Sequence, residues 1–390
     1  MEVLVKEAET SSNLNGSGAS LSFRVEKEVL LNGLKTAERA TAQKGLQPVL
    51  ANILFESDGN SKINLSATDF DLTIITSIEA QVISSGAITL SAKKLLDIVT
   101  RLNDGIINFE LNNTIMTITS GKSKFDIIGI AAAEFPQLET VAAGSDYIEV
   151  DLKPFITGIK ETSFAAAAYE SNNNLLSGVV CDISDKVFEM ASTDGNRLAR
   201  TKKIISNDAG KAQKLIIPAK VLQEFLKIAY FIEDDSVKIY SMNNKIMIKS
   251  DKVSIISNLM NGQYPPYNQL IPQSFRNEAK INVSKLVSAI ERVSTMVNEK
   301  TSIIKLEFSQ NSLNLKADAP ETGNSEEQLD ISYNNDDIVI AFNYRYLLDC
   351  FKNIESESLI IDMNTNLSAA VIKPDNNEDF IYLVMPVQIR

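Results

Sequence analysis

Val187–Ala199 reads V-F-E-M-A-S-T-D-G-N-R-L-A, and its pattern decides the architecture of the chain. Phe188, Met190 and Ser192 fall on one side of an alternating apolar and polar run, the mark of a half-buried strand. Asp194-Gly195-Asn196 then supplies residues that tolerate positive φ, so the strand is expected to end in a turn. The phrase recurs. Ile63–Asp69, I-N-L-S-A-T-D, lies 125 residues earlier, counted from Asp69 to Asp194, and Leu313–Ala319, L-N-L-K-A-D-A, lies 125 later, counted from Asp194 to Ala319. Two equal intervals in one chain point to an internal threefold repeat.

Other landmarks keep this register. Leu30-Leu31-Asn32-Gly33-Leu34 corresponds to Phe155-Ile156-Thr157-Gly158-Ile159 and to Leu286-Val287-Ser288-Ala289-Ile290. Ser91-Ala92-Lys93-Lys94-Leu95 is echoed by Pro218-Ala219-Lys220-Val221-Leu222, and Phe135-Pro136 by Tyr264-Pro265. Each unit reads helix, strands, helix, strands. Apolar periodicity predicts helices at Val25–Lys44, Ala92–Leu102, Leu152–Tyr169, Pro218–Ala229, Val283–Val297 and Tyr344–Asn353. Val49–Ser57, one long run Lys62–Ile75, and Leu176–Ile183 are expected as strands. The fold class is α+β: three homologous domains, 21–143, 144–272 and 273–390, each with two helices packed on antiparallel sheets. Residues 1–20, polar and rich in Ser, Asn and Gly, are expected to be a disordered extension.

Composition excludes much of catalysis. With no histidine there is no Ser-His-Asp triad, no Cys-His pair and no imidazole metal ligand. No GxGxxG opens a helix, and neither a phosphate-binding GxxxxGK[ST] nor a CxxC occurs. The acidic runs Glu233-Asp234-Asp235 and Asn334-Asn335-Asp336-Asp337 sit between strand-like segments and read as solvated turns. No enzyme activity, cofactor or metal is expected. Cys181 and Cys350 fall in apolar runs, as reduced thiols of a cytoplasmic protein would, and neither a membrane span nor a secretory leader is seen.

The charge is segregated. The chain carries −12 overall, which argues against a polyanionic partner. Summed over the helical stretches Lys27–Lys44, Leu90–Leu102, Leu152–Tyr169, Ile216–Ala229, Asn282–Lys300 and Phe342–Ile354, however, the charge is +8, leaving −20 for the rest; widening the third to Glu149–Asn172 lowers the sum to +5. Each helix has one apolar stripe for a sheet and an open face for solvent or a ligand. A polyanion-facing helix surface is therefore expected, with the acidic charge elsewhere.

The chain resembles the bacterial sliding clamp family, the beta subunit of replicative DNA polymerase III. The likeness spans Leu21–Arg390 and is carried by Ala67-Thr68-Asp69, Phe135-Pro136-Gln137-Leu138-Glu139, Thr193-Asp194-Gly195-Asn196-Arg197-Leu198-Ala199, Tyr264-Pro265-Pro266-Tyr267 with Ile271-Pro272, and Val384-Met385-Pro386. It implies clamp-type domains, a ring-forming head-to-tail homodimer, and helices lining a hole for duplex DNA. The ring would slide on double-stranded DNA, tether the replicative polymerase, and serve clamp loader and repair proteins through short peptides.

The resemblance assigns sites residue by residue. By position, Lys44, Lys220 and Asn174 are DNA-proximal; Lys93, Arg101 and Arg345 follow from their helices. The partner-peptide pocket comprises Leu176, Thr193, Gly195, Asn196, Arg197, Leu198, Pro265, Gln269, Leu270, Val384, Met385, Pro386, Val387, Gln388 and Ile389. The dimer interface would set Lys94, Phe125 and Ile127 against Met296 and Val297. The family has Arg in place of Lys44, an aromatic in place of Asn174, His in place of Asn196, and Arg in place of Gln269 and Gln388. Two rival readings of the residues alone are a structural or ligand-binding repeat protein that never meets DNA, and an enzyme using only carboxylates and lysines.

Overall fold

A computed structural model describes residues 20–42, 47–59, 61–142, 144–168, 174–206, 212–298, 300–319 and 323–388. The expectations for residues 1–19, Lys44 and Ile389, and for the Asn174 side chain, lie outside the described residues. The chain divides into two compact units between Leu138 and Glu139.

In the first unit, helices α1 (Lys27–Ala37) and α2 (Ala92–Arg101) lie side by side. One sheet runs in the order Gln81–Ser84, Ser22–Glu26, Ile106–Asn112, Ile115–Ser120, Ser123–Ile128; in the other, Ala87–Ser91, Asn52–Ser57, Lys62–Thr68 and Leu72–Glu79 are successive neighbours. All pairings are antiparallel.

The second unit contains the pattern twice, with helices α3 (Leu152–Thr162), α4 (Ala219–Ala229), α5 (Val283–Val293) and α6 (Tyr344–Phe351). A nine-stranded sheet joins the two copies: Gln213–Pro218, Gly178–Ser184, Val187–Thr193, Arg197–Ile204, Phe380–Val384, Ala370–Pro374, Ser358–Met363, Asn277–Asn282, Ser332–Tyr333. The junction is the antiparallel pair of Arg197–Ile204 with Phe380–Val384. A four-stranded sheet, Gly323–Asp330, Ser312–Ala319, Ile303–Ser309, Ile338–Asn343, belongs to the last copy. Among the described residues no helix is long and apolar enough to cross a membrane.

The repeat is physical as well as sequential. α1, α3 and α5 are each 11 residues long and each is followed by a three-residue 3-10 turn, Glu38–Ala40, Ser163–Ala165 and Ser294–Met296. In every copy the first residue of that helix donates its N–H to a carbonyl beyond the second helix: Lys27 to Gly105 at 3.0 Å, Leu152 to Asp235 at 2.8 Å, Val283 to Glu357 at 2.9 Å. One otherwise orphaned helix N–H is thereby satisfied. The small residue at the shared register has one cause. A Cβ on Gly33 would come within 2.6 Å of Ile78 and 2.8 Å of Leu65, and one on Gly158 within 2.9 Å of Met190. These helices lie hard on their sheets, and Ala289, fully buried, is the third copy's solution.

Several expected boundaries are corrected. The long first helices stop early because the 3-10 turns follow them. Lys62–Ile75 is two strands: Asp69 Oδ1 accepts from the N–H of Asp71 (3.1 Å) and Leu72 (2.8 Å), closing a turn with Phe70 at φ 74. Val49–Ser57 starts as a 3-10 turn, Pro48–Ala51, and Leu176 belongs to another, Asn174–Ser177, rather than to a strand.

Candidate functional site

The stretch that announces the repeat also builds the site. After strand Val187–Thr193 the chain reverses at Asp194, whose Oδ1 accepts from Asn196 N–H (2.9 Å) and Arg197 N–H (3.1 Å), with Gly195 at φ 93. Thr193 Oγ1 donates to the Arg197 carbonyl at 2.5 Å and accepts from Gly195 N–H at 3.1 Å. The returning strand then pairs Arg197 with Val384 and Leu198 with Leu383, and Met385 N–H donates to Asn196 O at 2.9 Å. Alternation sends these pairs to opposite faces.

On one face Leu198 and Leu383 join Val180, Ala191, Ile216 and Val371 beneath Tyr264 and Tyr267, with Leu175, Leu176, Met260 and Ile271 partly buried around them. Tyr264 fastens this floor, its hydroxyl donating to Gly178 O (3.2 Å) and accepting from Thr193 N–H (3.1 Å). Leu270 and Met385 remain 57% and 42% exposed, and Pro265 and Gln269 are exposed. Beside the floor Glu189 accepts from Tyr267 Oη at 2.7 Å and pairs with Arg200 (3.2 Å) and Lys202 (3.3 Å). Burial raises the Glu189 pKa, but the tyrosine hydrogen bond and the two cations outweigh it, holding the carboxyl below its ordinary value.

The other face carries Arg197 and Val384, which sequence had placed in the pocket. Arg197 turns toward the helices: Nε bonds Asp194 at 2.9 Å, Nη1 bonds Asp349 of α6 at 2.7 Å, and Nη2 donates to Phe164 O at 2.8 Å. Its guanidinium stands 4.4 Å from the Tyr346 ring centroid and 5.8 Å from that of Phe164. Val384 is fully buried in the core shared with Tyr382 and Ala199. Leu383 is the residue of that strand on the floor, and the alternation of Phe380–Val384 against Leu198 was the signal for it.

Val387 and Gln388 line a different depression. Val387 N–H donates to Ala341 O at 2.8 Å, so the tail runs along the edge strand Ile338–Asn343. There Val339, Ala341, Asn366, Leu367, Val387 and Gln388 surround a cavity of about 320 Å³. Nothing in the linear sequence marks Val339 or Leu367 as its neighbours.

The helical cations are on the open faces. Lys93 and Lys94 of α2 are exposed and have no ionic partner among the described residues, whereas Arg101 pairs with Asp97 at 3.0 Å. Lys220 on α4 and Arg345 on α6 are exposed. The α6 bias is weaker than expected, because the helix stops at Phe351 and Lys352 serves as its C-cap. Of the expected closure residues, Phe125 is 37% exposed on the edge strand Ser123–Ile128, and Met296 is half-buried. Ile127 and Val297 are both only 7% exposed and belong to their cores, because Ile127 pairs with buried Met116 and Val297 closes the turn after α5. Among the described residues no cluster of acidic or thiol side chains could hold a metal ion.

Comparison with known proteins agrees on one family along the length of the chain. The family model of the DNA polymerase III beta subunit N-terminal domain matches residues 21–139, that of the central domain 149–266, and that of the C-terminal domain 268–388. The chain is 33% identical over 368 residues to the beta sliding clamp of Synechococcus elongatus, covering 93% of this chain and 97% of that one. It is 31% identical over 384 residues to the beta sliding clamp of Rickettsia felis, covering 95% and 100%. Its fold is similar to the crystal structure of a DnaN sliding clamp from Bartonella birtlesii bound to griselimycin (TM-score 0.88, 28% identity, 95% of this chain and 100% of that one). The corresponding clamp from Pseudomonas aeruginosa gives TM-score 0.86 at 26% identity, covering 96% and 100%.

Proposed function

The chain belongs to the DNA polymerase III beta subunit family, and from that membership we propose that it works as a non-catalytic ring that encloses duplex DNA. Two copies close head to tail, each contributing domains 21–143, 144–272 and 273–390. The observation that carries this reading is the helix pair on antiparallel sheet, repeated three times with exposed cations on the open side. Diffuse lysine and arginine charge attracts phosphates without reading bases, which suits a protein that must slide. Lys93, Arg101, Lys220 and Arg345, with Lys44 and Asn174, are the groups we assign to that surface.

Partners enter at the junction of the central and C-terminal domains. The apolar cluster of Leu176, Leu198 and Leu383, rimmed by exposed Leu270 and Met385, is the surface we assign to the anchors of a short peptide, with Met385 an adaptable wall. Thr193, Gly195, Asn196, Pro265, Gln269 and Pro386 frame it; Val387 and Gln388 line the separate depression beside Val339 and Leu367, into which a longer peptide would run, and Ile389 would follow. The polymerase, the clamp loader and repair proteins are its expected occupants, in the cytoplasm. The test compares retention on nicked circular and on linear DNA after loading. A ring stays on the circle and runs off free ends; equal retention on both rejects enclosure.

A further inference from the structure

The open face of α4 is a single stripe: Lys220, Gln223, Lys227 and Tyr230 follow one another at helical spacing, and all four are exposed. The opposite stripe, with Leu222, Phe225 and Ile228, is buried. Tyr230 lies one residue past the helix but keeps helical φ −61 and ψ −24, so it completes the stripe. The turn beyond it is fixed by Phe231 N–H donating to Ile228 O (2.8 Å) and Ile232 N–H to Ala229 O (3.2 Å). Its ring meets the Phe231 ring edge-on, with centroids 5.6 Å apart at 83°. It is nevertheless 89% exposed, more than any other large apolar or aromatic side chain described. Single exposed apolar side chains are common, so the ring draws its meaning from its place at the end of a cationic helix stripe.

Resting on the reading of the helix faces as the DNA surface, we propose that Tyr230 is a stacking platform for an unpaired base of a single-stranded segment. Charge favours a polyanion along the helix: Lys220 and Lys227 share the stripe, and Lys153 and Lys160 are exposed on the neighbouring α3. The acidic run Glu233-Asp234-Asp235 beyond Tyr230, with Glu233 paired to Lys252 at 2.7 Å, bounds this cationic face. Lys227 is partly offset by Glu224 at 2.7 Å and Lys160 by Glu355 at 3.6 Å. Chemistry then selects the strand state. In a duplex the base faces are already stacked, so a ring projecting from the protein meets only sugar and phosphate. An unpaired base presents a free π-face, and stacking on it is independent of sequence. Tyr230 would thus distinguish a single-stranded template from the duplex behind it without reading bases.

The test measures binding of the intact protein to a labelled oligothymidylate and to a labelled duplex by fluorescence anisotropy. Tyr230→Ala is expected to weaken oligothymidylate binding roughly ten-fold and to leave duplex binding unchanged, while Tyr230→Phe, which keeps the ring, behaves as the parent. Wild-type oligothymidylate affinity in Tyr230→Ala, or an equal loss on both probes, overturns the proposal. A Lys220→Gln/Lys227→Gln variant separates the premises. If it loses affinity while Tyr230→Ala does not, the helix face meets DNA and only the stacking role is wrong. If it binds both probes like the parent, the helix face is not the DNA surface and the stacking role falls with it.

Discussion

Arg197 of the central domain and Asp349 of α6 in the C-terminal domain are joined by a 2.7 Å ion pair that crosses the domain junction. The arginine side chain is only 9% exposed and holds a second carboxylate, Asp194, itself 14% exposed. Removing the cation leaves that carboxylate buried without its partner, whereas Asp349 is 47% exposed and can turn to water. Arg197→Met is therefore expected to cost about 3 kcal/mol of unfolding free energy, and Asp349→Asn about 1 kcal/mol or less. Urea melts decide it. Equal costs for the two variants would mean that Asp349, not the buried Asp194, anchors the arginine.

The two faces of the junction predict a separation of functions. Met385 is exposed beside the apolar floor, so Met385→Ala is expected to weaken binding of an apolar-anchored partner peptide roughly ten-fold with stability nearly unchanged. Val384 is fully buried on the helix side, so Val384→Ala should lose about 2 kcal/mol of stability and keep its peptide affinity. Peptide anisotropy and thermal melts on both variants test the assignment, and the reverse pattern would refute it.

Much of the fold is legible in the sequence for specific physical reasons. Gly33 and Gly158 recur because helix and sheet touch there, so the register of the repeat was written in a packing constraint. The T-D turn recurs because Asp69 and Asp194 close their turns with the same side-chain hydrogen bonds. Sequence missed the direction of Arg197: it depends on Asp349, 152 positions away, and on the ring of Tyr346. A polar residue in a matched motif looks like a ligand group until its tertiary partners are known. Val339 and Leu367 escaped for a similar reason, since they come from distant segments to line a cavity with Val387 and Gln388.

Glu189 gives the protein an acid-sensitive element beside the floor. Its pKa is lowered by Tyr267, Arg200 and Lys202 despite the opposing effect of burial. A carboxyl depressed in the folded state contributes stability that is fully present above its unfolded pKa and is lost as pH falls through the folded value. The contribution should therefore be intact at neutral pH and fade below the ordinary glutamate range. Glu189→Gln is expected to be less stable than the parent at pH 7 and to show a shallower decline under acid. Parallel melts of the two proteins across the acid range would reveal an unchanged slope if the network were irrelevant.

Ring closure places its demand on two sheet edges, each of which leaves backbone groups unpaired and open to another copy. In the first unit the edge is Ser123–Ile128, where Phe125 pairs with buried Ile118 and is itself 37% exposed, extending the core to the rim. In the C-terminal domain the edge is Gly323–Asp330, whose first residue, Gly323, lies against Met296 and which carries Glu326 and Glu327 further along. An apolar rim meeting Met296 explains closure better than Ile127 or Val297, since both of those are inside their own cores. Phe125→Asp would set a carboxylate against an apolar contact and an acidic strand, and it is expected to shift the protein from a species near twice 42.9 kDa to one of 42.9 kDa. Ile128→Asp is the control, because Ile128 is 80% exposed on the opposite face of the same strand and tests the edge without touching the core. Sedimentation velocity reads both variants. A Phe125→Asp protein that remains a dimer would move the interface away from this edge.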